Sequence, residues 1–245
     1  MRIHVVNPNT TASMTAKAAA AARAAAAAGT EILATNPDMG PASIEGYYDE
    51  AFAVPGLLAQ IARAEALGVA GHVVACFDDT GLDAARCLAS APVVGIGEAA
   101  FHLASLVATR FSVVTTLSRS IPAIEHNLMK YGLDRRCARV RASEVPVLDL
   151  EVPGSPARAR IAAEIARARA EDGAEAIVLG CAGMADLAGA LSAEHGLPVI
   201  EGVGAAVKLI EALAALGLRT SPLGGYARPR PKRYDGPLAG FAPAG

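Results

Sequence analysis

Short blocks of apolar residues, rich in valine and isoleucine, recur along the chain between longer stretches with helical spacing. A strand with one wet face alternates apolar and polar residues, whereas a strand buried on both faces reads as a continuous apolar run. Most of the blocks here are continuous, while that at 139–141 alternates. They predict strands at 3–6, 31–34, 72–75, 93–95, 111–115, 139–141, 176–179 and 199–200. The intervening stretches carry helix ends. Ser155 and Pro156 offer an N-cap and a first helical residue, and Gly173 a stop. Ser120 caps another helix, which ends near Gly132. Gly29 and Gly68 stand where a chain leaves a helix in a left-handed conformation. Pro55, with no N–H to donate, is expected to kink or delay the helix that finishes at Gly68. Strands alternating with helices predict an α/β fold with parallel sheets covered on both faces.

The pattern also repeats. IHVVNPN from Ile3 is similar to FSVVTTL from Phe111, and GHVVACFDDTGLDAA from Gly71 to EAIVLGCAGMADLAGA from Glu175. APVVGIGEAAFHLASLVA from Ala91 is similar to LPVIEGVGAAVKLIEALAALG from Leu197. The partners lie 108, 105 and 106 residues apart (Phe111 against Ile3, Cys181 against Cys76, Pro198 against Pro92). Three matches in one order at nearly one offset read as an internal duplication. The expectation is two pseudo-symmetric doubly wound lobes, each with a four-stranded parallel sheet, and an active site in the cleft between them. Lobe one takes residues 1–100 and a C-terminal segment of about 205–245, and lobe two takes 101–204.

Composition narrows the class. The chain has 245 residues, a formal net charge of −2, a pI of about 6.2 and no Trp. Neither a basic footprint nor a stacking surface for nucleic acid is visible. No stretch nears the ~20 apolar residues of a membrane span. The opening MRIHVVNPNT meets an Asn-Pro turn too early for a signal peptide. A cytoplasmic protein with reduced thiols acting on a small molecule is the expectation. Cysteines stand at 76, 87, 137 and 181, without a C-x-x-C pair or a histidine at zinc-ligand spacing, so no metal site is read. The Pro- and Gly-rich tail from Ser221 is expected to be irregular, lying along the surface with its Arg and Lys in solvent.

The duplication gives two of the cysteines a meaning. Cys76 and Cys181 each end an apolar strand at equivalent places, where open α/β sheets bind ligands. If each also precedes a helix, its dipole and free N–H groups would draw the thiol down from about 8.5 toward working pH. Two thiols on opposite faces of a flat substrate suit inversion of a carbon acid. One thiolate removes a proton, the other thiol returns one to the opposite face, and no cofactor is needed. Backbone N–H groups after the cysteines would steady the carbanion. The bland reading of a strand-end cysteine is core packing, and it is assigned here to Cys87 and Cys137. Asp78 and Asp79 read as helix N-caps, with a catalytic role for either as the lesser alternative.

Other candidates come from the remaining strand ends. Asn9 and Thr10 follow the first strand, Thr115 and Thr116 close the equivalent strand of lobe two, and Ser43 and Ile44 lie in a Gly- and Pro-bounded loop. Each is a candidate for substrate contact and equally for a cap or turn. The five histidines read as structural or exposed.

These residues carry a resemblance. NPNT at 7–10, PASIEG at 41–46, ACFDDTGL at 75–82, FSVVTT at 111–116 and VLGCAGMADL at 178–187 together resemble the hydantoin racemase branch of the aspartate/glutamate racemase superfamily, with allantoin racemases close by. The resemblance runs from Met1 to about Tyr234. It implies two pseudo-symmetric lobes, a two-cysteine proton transfer by Cys76 and Cys181, no cofactor and a homo-oligomer. Amino-acid racemases of the superfamily usually have Cys-Asn-Thr in one lobe and Gly-Cys-Thr in the other. Here Phe77-Asp78 and Ala182-Gly183 follow the cysteines, which suits a neutral ring better than a free amino acid. The implied reaction is interconversion of D- and L-5-monosubstituted hydantoins. Allantoin racemisation, another isomerase or lyase reaction, plain ligand binding and a redox dithiol are the alternatives.

Overall fold

The computed structural model describes residues 1–243. Strands β1 (Arg2–Val6), β2 (Glu31–Thr35), β3 (Gly71–Val74) and β4 (Val93–Gly95) form one parallel sheet in the order β2-β1-β3-β4. Strands β5 (Phe111–Thr115), β6 (Cys137–Ala142), β7 (Ala176–Gly180) and β8 (Val199–Ile200) form a second in the order β6-β5-β7-β8. The two orders are the same, so the matched stretches of sequence take one topology. All eight predicted strands occur, with ends that move by a residue or two.

Among the described residues eight α-helices flank them: α1 (Ala12–Ala25), α2 (Tyr47–Glu65), α3 (Leu82–Leu88), α4 (Ile96–Val107), α5 (Ile121–Lys130), α6 (Ala157–Glu171), α7 (Ala188–His195) and α8 (Gly202–Ala215). Successive strand residues point to opposite faces. On the inner side Ile3, Val5 and Val73 of the first sheet share one core with Phe111, Val113 and Val178 of the second, through Phe101 on α4 and Val207 on α8. On the outer sides Val6 and Val74 pack under α2 and α3, and Val114, Ile177 and Leu179 under α6 and α7. One continuous inner core fixes the two sheets against each other, which holds their strand ends in register across the cleft.

Several local expectations are corrected. Helix α2 continues through Pro55, which stands inside it, with no break in the helix there. Ser120 precedes α5 without its hydroxyl capping it. Gly29 has a positive φ, but it lies in a turn beyond the end of α1, at Ala25. Gly173 and Gly132 do close α6 and α5 at φ of 65° and 72°. Cys137 opens β6, half-buried, and Cys87 in α3 donates to the Gly225 carbonyl at 3.3 Å. The tail is irregular but tied down: Tyr226 Oη accepts from Arg86 and Arg228 donates to Ser90 Oγ at 2.7 Å. Among the described residues no helix is long and apolar enough to cross a membrane.

Candidate active site

The carboxyl ends of β1 and β3 meet those of β5 and β7 around one cavity with about 410 Å³ of empty space, partly open to solvent. Cys76 enters it two residues beyond β3, and Cys181 enters from the opposite lobe at the end of β7. Asn9, Ile44, Phe77, Asp78, Thr116 and Ala182 line the same space. Eight of the residues singled out from sequence therefore converge.

Three do not. Thr115 is fully buried and its hydroxyl donates to the Gly180 carbonyl at 3.1 Å, so it ties β5 to β7. Ser43 lies outside the lining, which is reached from that loop by Ile44. Gly183 faces a neighbouring depression, where its carbonyl accepts from Lys17 Nζ at 3.0 Å. Thr10 is also a turn residue, bonded to the Pro41 carbonyl. Of the histidines, His4 and His72 are fully buried in adjacent strands, with their Nδ1 atoms 3.0 Å apart. Burial, and then the neighbouring His72, pull His4 down to about 3, so it stays neutral and structural.

The two thiols are held alike and surrounded differently. Cys76 Sγ accepts from the Asp78 N–H and Cys181 Sγ from the Gly183 N–H. Cys181 also caps a 3-10 turn, Ala182–Leu187, that leads into α7. After Cys76 the chain instead turns sharply at Asp79, with φ of 51°, and α3 begins only at Leu82. The expected helix N-terminus exists for one thiol only. The expected lowering of the thiols is also absent. Burial pushes Cys181 up to about 11, with the Gly183 N–H and the Lys17 ammonium opposing and Asp78 assisting. Burial and then the Asp78 carboxylate push Cys76 higher still.

Asp78 and Asp79 separate in role. Neither caps α3, whose N-cap is Gly81. Asp79 caps α4 from a distance, accepting from the N–H groups of Gly97 at 3.0 Å and Glu98 at 2.8 Å. It fits because Gly95 and Gly97 have no Cβ; one built on Gly95 would lie 2.0 Å from the carboxylate. Tyr131 of lobe two donates to the same carboxylate at 2.7 Å. Asp78 turns into the cavity. Burial, then the nearby Glu50 and Asp79 carboxylates, push it up to about 7, with the Ser120 hydroxyl opposing.

Sequence reasoning missed the residues that join the lobes. Glu45 Oε1 accepts from the Val147 N–H at 2.9 Å, closing the cavity where Ile44 and Val147 line it. Asn127 Nδ2 donates to the Asp78 carbonyl at 2.8 Å. Lys17 reaches from α1 to the Gly183 carbonyl, Asp186 and Glu151. Asn7 was visible within NPNT, and it holds Asn9 by donating to Asn9 Oδ1 at 2.8 Å. Among the described residues the Met14 sulfur, at 3.5 Å, is the only acceptor for Asn9 Nδ2, which leaves an amide donor for a ligand.

The chain as a whole is similar to known proteins. The profile of the Asp/Glu/Hydantoin racemase family matches residues 3–210. The chain is 52% identical to a hydantoin racemase of Rhizobium meliloti, over 96% of this chain and 98% of that one. It is similar to the solved allantoin racemase of Klebsiella pneumoniae, with a TM-score of 0.97 and 51% identity over the whole of both chains. An allantoin racemase of Pseudomonas fluorescens gives a TM-score of 0.90 and 41% identity, covering 96% of this chain and all of that one.

Proposed function

From the membership of this chain in the Asp/Glu/hydantoin racemase family, and so among the isomerases, we propose that it interconverts D- and L-5-monosubstituted hydantoins by two-base proton transfer between Cys76 and Cys181. The observation that carries the reading is the entry of both thiols into one cavity from equivalent strand ends of opposite lobes.

The C5 hydrogen of such a ring lies beside the C4 carbonyl. A thiolate takes it, and the C–H electron pair moves onto the C4 oxygen as an enolate. The opposite thiol then protonates C5 from the other face. One proton is lost and one gained, and the configuration inverts. Burial raises both thiols, Cys181 to about 11 against the opposing Lys17 ammonium and Cys76 further; one thiolate and one thiol make the competent pair, with Cys181 the thiolate for one enantiomer. For the other enantiomer the roles reverse. Asn9 Nδ2 is the group suited to donate to a ring carbonyl. Ile44, Met14 and Val147 offer an apolar wall for the C5 substituent.

The test is polarimetry of one enantiomer of a 5-alkyl hydantoin against a blank without protein. Decay of rotation to zero by the native chain, abolished in Cys76→Ala and in Cys181→Ala, is the expected result. Unchanged rotation would sink the hydantoin reading. The similarity to allantoin racemases supports allantoin as the alternative substrate, since it is itself a 5-substituted hydantoin. The same assay with allantoin separates the two.

A further inference from the structure

Residue 80 breaks the symmetry of the duplication beside the thiols. Matching the chain after β3 with the chain after β7 sets Cys76 against Cys181, Asp78 against Gly183 and Thr80 against Ala185. The charges around the two sulfurs differ accordingly. Cys76 is faced by the carboxylates of Asp78 and Glu50. Cys181 is faced by the Lys17 ammonium, with Asp78 and Glu151. The anionic side therefore needs a donor that the other side draws from a cation. Thr80 supplies one: its Oγ1 lies 3.3 Å from Cys76 Sγ, it is 2% exposed, and among the described residues its hydroxyl has no other partner. A hydroxyl at that distance donates to a thiolate and accepts from a thiol, so it serves both states of the sulfur.

We propose that Thr80 is a positioning residue for Cys76, holding Sγ at the cleft and donating to its thiolate against the two carboxylates. Ala185 can do nothing comparable for Cys181. The proposal rests on the reading of Cys76 as an acid/base group, but its primary test needs no substrate. The full chain is treated with iodoacetamide across pH 7 to 11, and each cysteine is followed separately by peptide mass mapping. In Thr80→Val, which keeps the shape and removes the hydroxyl, alkylation of Cys76 at pH 9 is expected to slow by about tenfold or more, since a hydrogen bond to a charged group is lost. Alkylation of Cys181 should match the native chain, and Thr80→Ser should restore Cys76. Racemisation by Thr80→Val should lose a similar factor in kcat with KM within about twofold. An unaltered Cys76 profile overturns the proposal, as does slowing of both thiols together or failure of Thr80→Ser to rescue. Should Thr80→Val not fold, Thr80→Ala carries the same expectations. If the chain proved inactive on hydantoins and allantoin, the alkylation result would still decide the role of Thr80, so the two readings fail separately.

Discussion

The two lobes run the same four strands in the same order, yet the segments after their third strands differ in almost every way that matters to a thiol. After β7 the chain passes from Cys181 into a 3-10 turn, with Gly183 and a lysine nearby. After β3 it passes from Cys76 into a left-handed Asp79, with a buried carboxylate at Asp78 and a hydroxyl at Thr80. The repeated topology is a symmetric frame that sets two strand ends face to face. Residues with no counterpart in the repeat then made the two sulfurs unequal. A racemase must attack both faces of a carbon, which asks for a symmetric frame. It also needs one base and one acid at any moment, which asks for the inequality.

The sharpest way to break the comparison is to remove one thiol. Cys76→Ala or Cys181→Ala should each lower the racemisation rate by about 10³-fold or more, since the proton transfer that the missing thiol supplies is lost outright. Equal activity in either variant would end the pairing. Next comes Lys17→Met, which takes the cation from beside Cys181 and cuts a tie between the lobes. A loss of about tenfold in kcat/KM is expected, with the rising limb of the pH–rate profile moved to higher pH. In the native chain that limb should climb from pH 7 toward about 11, because deprotonation of Cys181 limits the supply of base.

Asp78 gives a smaller effect, read in stability. Its carboxyl rises from an unfolded value near 3.9 to about 7 in the fold, chiefly through burial. Between these values the native chain holds a proton that the unfolded chain releases, so this contribution to stability falls as pH rises from about 4 to 7. The loss is on the order of 2 kcal/mol, allowing for solvent at the cavity mouth. Urea melts at pH 4.5 and 7.5 should show the difference, and Asp78→Asn should reduce it. Gly183, at the matching place in lobe two, contributes nothing of the kind. The smallest effect belongs to Ser43→Ala, which should leave kcat/KM within about twofold, as for a surface change away from the site.

The fold was legible because its signals are local and repeated. Short β-rich runs marked all eight strands, most of them continuously apolar, and the sequence repeat related them before any contact was known. Cys76 and Cys181 were legible for the same reason, as strand ends at matching places. Thr115 misled because strand-end position says nothing about which face a side chain takes, and it turned to the Gly180 carbonyl. Asp79 misled because an N-cap is usually sought on the helix that follows, whereas this carboxylate caps α4 across an intervening strand. Lys17, Glu45 and Asn127 had no signal at all. Each acts on the other lobe through a contact of long sequence separation that no periodicity encodes. The expected fall in thiol pKa failed on an omission: a helix terminus favours a thiolate, but burial disfavours it more.

The most direct measurement is the fate of the C5 hydrogen at early conversion. One enantiomer of a 5-alkyl hydantoin is incubated with the native chain in deuterated buffer, the enantiomers are separated after about a tenth has reacted, and each is analysed by mass spectrometry. Two thiols on opposite faces predict deuterium in the product enantiomer and almost none in the recovered substrate, because the second thiol delivers a solvent-derived proton. A product that retains its original C5 hydrogen would mean that one group carried the proton around the ring, and would contradict the account.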